Sequence, residues 1–327
     1  MKFAFTDEQL ALRDGVRDVL AKECPPDVLR AAWTATTGRV PGLWATLSEL
    51  GVPALLAPEA AGGLGLSWID LVLVLEETGA VALPEPIVET AAVAVPFLAD
   101  HGGDALAPFI ANGLSASVGI PEAPFPVWAD TTDVLLVIDG DGVRTVPHDD
   151  CARTPIPSVD GARRLFEVEV PRGFAPVGGV AAAADAFRGG ALGTAAQLLG
   201  LTDTMITMTV DYAKARKQFG VPIGSFQAVK HHLADARLAF EFARPLVYRA
   251  AWSLATHDAE RGHHVAMAKA QASDAALLAG RVALQCHGAI GYTTEYDLHL
   301  FMKRAWALAA SWGDAAWHRA SLGRAIL

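Results

Sequence analysis

Apolar residues recur at helical spacing over three long stretches in the second half of this chain, Ala191 to Ala215, Ser225 to Ala255 and His263 to His287. Long apolar-faced helices with short connections pack as antiparallel neighbours, so the pattern predicts a four-helix bundle, with shorter helices from Glu295 and from Asp314. Pro245 falls inside the second stretch and should kink or break it. The first hundred residues also read as helical. Thr6 followed by Gln9 makes a capping box, and Leu10, Val16 and Leu20 then share one face. Further helices fit Pro41 to Leu50, Trp68 to Gly79 and Glu89 to Asp100. From Ser115 to about Val177 the period changes. Short β-branched runs, Asp133 to Ile138 and Phe166 to Val170, are separated by turn residues, and Asp139-Gly140-Asp141-Gly142 reads as a tight hairpin. The chain is therefore expected to be mainly α, in three parts: an N-terminal helical domain (1–112), a short β-rich middle domain (113–180) and a C-terminal helical bundle (181–327).

Composition sharpens this. The 327 residues are 52% hydrophobic and only 19% charged, which describes a packed, oligomeric protein rather than a disordered one. The net charge of −10 is unevenly spread: residues 1–180 hold 11 Lys/Arg against 25 Asp/Glu, hence −14, and residues 181–327 hold 15 against 11, hence +4. An acidic whole argues against nucleic acid, while a basic half suits a phosphate-bearing small ligand or simply a solvated helix surface. No apolar run is long enough to cross a bilayer, and no basic, apolar leader opens the chain, so a soluble cytoplasmic protein is expected. Cys24, Cys151 and Cys286 are odd in number and far apart, as reduced thiols would be. The pairs His231–His232 and His263–His264 have no acid or cysteine completing a ligand set, so no metal is expected.

The most informative segment is Gln285 to Tyr296, QCHGAIGYTTEY. An apolar helix ends in a Gly-x-x-Gly turn and restarts on a threonine-capped, charged segment. Gly288 and Gly291 lack a Cβ, so a phosphate can approach their backbone N–H groups, and the N-terminus of a following helix adds positive potential. The same spacing also simply joins two helices. Company decides the reading: Phe5-Thr6-Asp7-Glu8-Gln9-Leu10 opens the chain, Pro58-Glu59-Ala60-Ala61-Gly62-Gly63-Leu64-Gly65-Leu66-Ser67 and then Leu75-Glu76-Glu77-Thr78-Gly79 follow, and Tyr212 to His231, with Arg216, Phe219, Gly220 and Phe226, comes next. These blocks, in this order over nearly the whole length, resemble the acyl-CoA dehydrogenase family.

The resemblance implies an α-domain, a small β-domain and a four-helix bundle, FAD held noncovalently, and desaturation of an acyl-CoA thioester between Cα and Cβ. It also implies an electron-transfer flavoprotein as acceptor. On its pattern, Arg216 and Phe219 match positions that reach the FAD of a neighbouring subunit. Gln285, Gly288, Ala289 and Gly291 match the turn that receives the ADP part of that flavin, and Gln227 lies where the family keeps a polar residue near the cofactor. Taken singly, Arg216 could be a surface ion pair, Phe219 a core plug and Gln227 a solvated position. No G-x-G-x-x-G follows a strand, so a nicotinamide site is not supported.

Three departures qualify the resemblance. Ala289 replaces the second glycine of the family's Gly-Gly turn. The β-rich segment is short, and of the Thr-Glu-Pro-x-x-Gly-Ser motif that walls the flavin only Ile120-Pro121-Glu122 remains. The usual catalytic glutamate position falls on Trp312, followed by Gly313 and Asp314, and the alternative position used by some members falls on Gly190 and Ala191. Tryptophan cannot accept a proton from carbon. Asp314 and Glu295 are the remaining acids nearby. The chain thus resembles the short subunits of actinobacterial heteromeric (α2β2) acyl-CoA dehydrogenases that act on steroid side-chain thioesters, with a longer partner bringing the base. A homo-oligomeric dehydrogenase with a relocated base, or a non-catalytic protein on this scaffold, are the alternatives.

Overall fold

A computed structural model describes residues 4–121, 124–171 and 173–326. Helix α1 (Asp7–Glu23) starts on the expected capping box: Gln9 N–H donates to Thr6 Oγ1 at 3.3 Å and Thr6 N–H to Gln9 Oε1 at 3.0 Å. It buries Val16 and Leu20. Helix α2 (Pro26–Thr34), with proline at its first position, was not signalled by a long period, being only nine residues. Helices α3 (Leu43–Glu49) and α4 (Trp68–Ala80) fall where the pattern places them, the latter capped by Ser67 with Asp70. The predicted helix over 89–100 is divided: Val88–Ala94 is π-helical and Val95–His101 is α5. Pro96 has no N–H to give to Ala92 O, which favours a wider turn just before it. Helix α6 spans Leu106–Ala111.

The β-rich segment is small. Strand β1 (Ala116–Gly119) runs parallel to β2 (Val134–Asp139), which pairs antiparallel with β3 (Gly142–Pro147). Asp139 sits opposite Gly142, leaving Gly140 and Asp141 as the two-residue turn that the sequence predicts. Strands β4 (Ala152–Ile156) and β5 (Leu165–Glu169) form a separate pair.

Helix α7 (Gly179–Ala215) begins at Gly179 rather than Ala191, because the alanines of its first turns outweigh the glycines that blur the period there. It is followed by the short hairpin β6 (Lys217–Gln218) and β7 (Val221–Pro222), then α8 (Gln227–Ala255), α9 (Arg261–His287), α10 (Leu298–Ala310) and α11 (Ala315–Ile326). Helices α7 to α10 make the bundle, and α4 lies across α7, where Gln197 Nε2 donates to Thr78 Oγ1 at 3.1 Å. Helix α8 runs through Pro245 without a break. The helix expected from Glu295 starts instead at Leu298, after a 3-10 turn over Gly288–Tyr292. Arg30 of α2 accounts for the delay. It donates to the carbonyls of Thr294 and Glu295 and pairs with Asp297 at 2.6 Å, holding the intervening chain out of helical register.

Two buried polar devices lock the parts together. Arg304 of α10 pairs with Asp160 and donates to Leu83 O at 2.6 Å, joining the bundle, the β-segment and the N-terminal helices. Lys269 of α9 is fully buried and donates to Ser273 Oγ at 3.1 Å, Ala309 O at 3.1 Å and Gly313 O at 3.0 Å. Burial brings its ammonium down to about 7. All three cysteines are buried and unbridged. Among the described residues no helix is long and apolar enough to cross a membrane, and no group of three or more metal-ligating side chains occurs.

Candidate functional site

At one end of the bundle, α7 closes with Arg216 N–H on Tyr212 O at 2.8 Å, and the chain reverses through the β6–β7 hairpin. The turn residues Phe219 and Gly220 have φ of 53° and 83°, a pair of left-handed residues that suits a two-residue hairpin. The turn lifts Phe219 almost wholly into solvent, 93% exposed, with the ring of Phe226 edge-on at 6.2 Å. This excludes the core-plug reading. Arg216 is exposed and its guanidinium meets no carboxylate among the described residues, so the surface ion pair is not formed either. Gln227 is exposed at the first position of α8.

The same end carries the Gly288 turn. Gly288 has φ +63° and ψ −139°, a conformation costly for any residue with a Cβ, and a Cβ there would meet nothing within 4 Å. That side of its backbone is therefore open, while its N–H donates to Leu284 O. Gln285 and Ala289 are exposed beside it. Gly291 differs from the sequence-based expectation: it is buried, and a Cβ would sit 3.0 Å from His287 Cβ and 3.2 Å from Leu284 Cδ1, so its small size serves packing rather than ligand approach. His287, which sequence reasoning missed, ties the two segments together. Its ring stacks on Tyr212 at 4.4 Å and 27°, and Tyr212 Oη donates to His287 O at 3.4 Å. Arg216 and Gly288 are thereby anchored to one aromatic pair.

The two positions that the family pattern assigns to a base are also brought together. Trp312, 4% exposed and with φ +56°, lies in the turn between α10 and α11, and its indole fills the space that a Gly190 side chain would need. Phe187 meets it edge-on at 5.9 Å. Lys269 holds this turn through Ala309 and Gly313, and His318 Nε2 donates to Trp312 O at 2.8 Å. The candidate acids are placed otherwise. Asp314 is exposed and its Oδ1 accepts from Trp317 N–H at 2.7 Å, capping α11. Glu295 is exposed, held by its carbonyl to Arg30.

Beneath Trp312 lies a cavity of about 20 Å³ lined by Glu89, Val118, Ile120, Arg163, Ser311 and Trp312. Glu89 is presented by the π-helix; burial raises its carboxyl, opposed by Arg163. Arg163 donates to Ser311 Oγ at 2.9 Å. Ile120 lines this cavity and Pro121 a neighbouring cleft, whereas Glu122 lies outside the described residues. That cleft, of about 580 Å³, opens between the β2–β3 turn, α7, α9 and α11. The cavity beneath Trp312 is thus no larger than a water molecule.

Residues 6–107 match the acyl-CoA dehydrogenase N-terminal domain and residues 178–327 its C-terminal domain. The chain is 33% identical to acyl-CoA dehydrogenase IpdE2 of Mycolicibacterium smegmatis over 92% of its own length and 93% of that protein's. Among solved structures, a variant of the Tcur3481-Tcur3483 steroid ACAD aligns with TM-score 0.89 and 25% identity over 98% of each chain. Butyryl-CoA dehydrogenase from Megasphaera elsdenii aligns with TM-score 0.87 and 22% identity over 100% of each, and shows the shared fold. The chain belongs to the acyl-CoA dehydrogenase family.

Proposed function

We propose that this chain is one subunit of a heteromeric acyl-CoA dehydrogenase, completing the FAD site of a longer partner that carries the catalytic base for α,β-desaturation of a bulky, steroid-type acyl-CoA. The observation that carries this reading is the Gly190–Trp312 contact: both family base positions lack an acid, and the indole fills the space between them. Two similar proteins, the Tcur3481-Tcur3483 steroid ACAD and the ChsE4-ChsE5 complex from Mycobacterium tuberculosis, carry paired names, which supports a two-chain assembly.

The exposed end of the bundle fits a dinucleotide reaching in from a neighbour. Arg216 has a forked donor without a carboxylate partner among the described residues, Gly288 has open space on the side a Cβ would take although its own N–H is given to Leu284 O, and Phe219 is 93% exposed. Gln227, Gln285 and Ala289 border the same face, and Gly291 supports the turn from below. FAD, when bound, supplies the acceptor for the electrons leaving the substrate. This chain's residues hold and orient it, and a soluble electron-transfer flavoprotein in the cytoplasm would drain it. The division into 1–112, 113–180 and 181–327 belongs to the same reading, with the trimmed middle part too small to wall a flavin of its own. The test is co-expression with the longer partner. Flavin absorbance and acyl-CoA oxidation should appear only in the assembled pair, and equal activity of this chain alone overturns the reading.

A further inference from the structure

His287 closes α9 one residue before Gly288 and is only 3% exposed. Its Nδ1 lies 2.7 Å from Ala283 O, and a carbonyl only accepts, so Nδ1 carries the proton and Nε2 is a bare acceptor. Nε2 meets no partner among the described residues. Tyr212, four residues before Arg216 on α7, stacks on the ring, and Tyr296, from the chain entering α10, tilts against it at 4.7 Å and 45°. The nearby charges are committed elsewhere: Asp211 of α7 to Lys214 at 3.5 Å, and Asp297 before α10 to Arg30 at 2.6 Å. Burial raises the Cys286 thiol and the Tyr296 phenol, so neither supplies a counter-charge. Tyr212 gives its own phenol proton to His287 O.

The arrangement suits a neutral ring and not a charged one. An imidazolium carries an N–H at Nε2, and that buried donor finds no partner in the fold. The faces of the two tyrosines attract a cation, but loss of water disfavours it more. Burial accordingly holds the imidazole below its ordinary value of 6.5, with the Ala283 bond opposing. We infer that His287 is a positioning residue operated by a proton: neutral, it holds Arg216 and the Gly288 turn to one face, and once protonated it leaves the Tyr212 stack for water and lets the two part. A dinucleotide bound across that face is thereby released in acid. The dinucleotide rests on the FAD reading above, whereas the joint does not. Above 6.5 the ring is neutral whether the joint is closed or open, and the joint's contribution is full; it is lost as pH falls through the lowered value of the closed form.

Hydrogen exchange of the full chain alone, corrected for the intrinsic pH dependence of amide exchange, reads the joint at pH 7.5 and pH 5. Residues 212–223 and 287–296 should lose protection at pH 5 by up to about 30-fold, the limit for an imidazole that titrates at 6.5 when open and not at all when closed. His287→Phe keeps a ring against Tyr212 and removes both nitrogens, so its protection should be the same at both pH values. Tyr212→Leu removes the stack and leaves the imidazole, and should show low protection at both. Unchanged protection of wild type between the two pH values, or a His287→Phe chain that loses protection at pH 5 as wild type does, overturns the inference. In the assembly with the longer partner, gel filtration at pH 5 should strip FAD from wild type and leave it on His287→Phe. Protection that falls with pH in the chain alone, with flavin content constant in the assembly, keeps the joint and takes the dinucleotide away from this face.

Discussion

The Trp312 indole packs directly against the Cα of Gly190, across the gap between the α10–α11 turn and α7. Each residue explains the other. The glycine leaves a slot, and the indole occupies it in a backbone conformation that a side chain of this size rarely adopts.

Gly190→Ala should destabilise the protein by about 1–3 kcal/mol, because the new methyl overlaps a ring with nowhere to go. Trp312→Ala should cost about 3–5 kcal/mol as a cavity. The double variant should cost clearly less than the sum, since the methyl then enters vacated space. Urea unfolding measures all three, and simple additivity would show that the two positions do not share one slot.

Gly288→Val should reduce flavin occupancy of the assembled pair more than Gly288→Ala, since branching both strains a left-handed φ and covers the open main chain. Arg216→Ala should weaken retention by about 1.5–3 kcal/mol, as expected for a charge-assisted bond to phosphate, with no loss of fold because the exposed side chain pairs with no carboxylate among the described residues. Flavin quantification after dialysis separates these from a neutral surface role.

Asp314 caps α11, so Asp314→Asn, which preserves the cap, should leave stability and turnover of the reconstituted enzyme unchanged. Asp314→Ala should cost about 1 kcal/mol and still turn over. Loss of turnover in Asp314→Asn with flavin retained would make Asp314 a base and refute the two-subunit division of labour.

Glu76 of α4 gives an independent pH test. It lines a cavity of about 390 Å³ between α1, α4, α7 and α8, accepts from Tyr248 Oη at 2.7 Å, and is pushed by burial from 4.5 up to about 7. Between those two values the folded chain binds more protons than the unfolded one, so this group's contribution is full below the lower value and is lost as pH rises through the upper. Glu76→Gln should remove that slope and raise stability at pH 8 relative to wild type by on the order of 1–3 kcal/mol. Parallel melts at pH 5 and pH 8 that shift equally would show Glu76 to be an ordinary solvated acid.

Much of the helical framework was visible in the periodicity because a half-buried helix must repeat its apolar face; α1, α8 and α9 follow directly from Val16 and Leu20, from Phe240 and Val247, and from the alanines facing α7. The hairpin at Gly140-Asp141 was legible for a local reason, its turn chemistry. What escaped was set by contacts between distant segments. Nothing near residue 295 announces that Arg30 will hold those carbonyls out of a helix. The residues proposed to meet a flavin were singled out by order and spacing, whereas Glu89, Arg163 and His318 were not, since an acid or histidine in an apolar stretch reveals its neighbours only after folding. Lys269 offered the best missed hint: a lone cation among alanines must find acceptors or lose its proton.

The stack of Tyr212 on His287 has a thermodynamic consequence. Segments 216–223 and 288–292 are each short and mostly exposed, and apart they would wander independently; that ring pair joins the helix ends from which they leave. The entropy of bringing them together is settled when the chain folds. A ligand that bridges them meets a preorganised pair, so its affinity reflects contacts rather than the cost of assembling the face it touches.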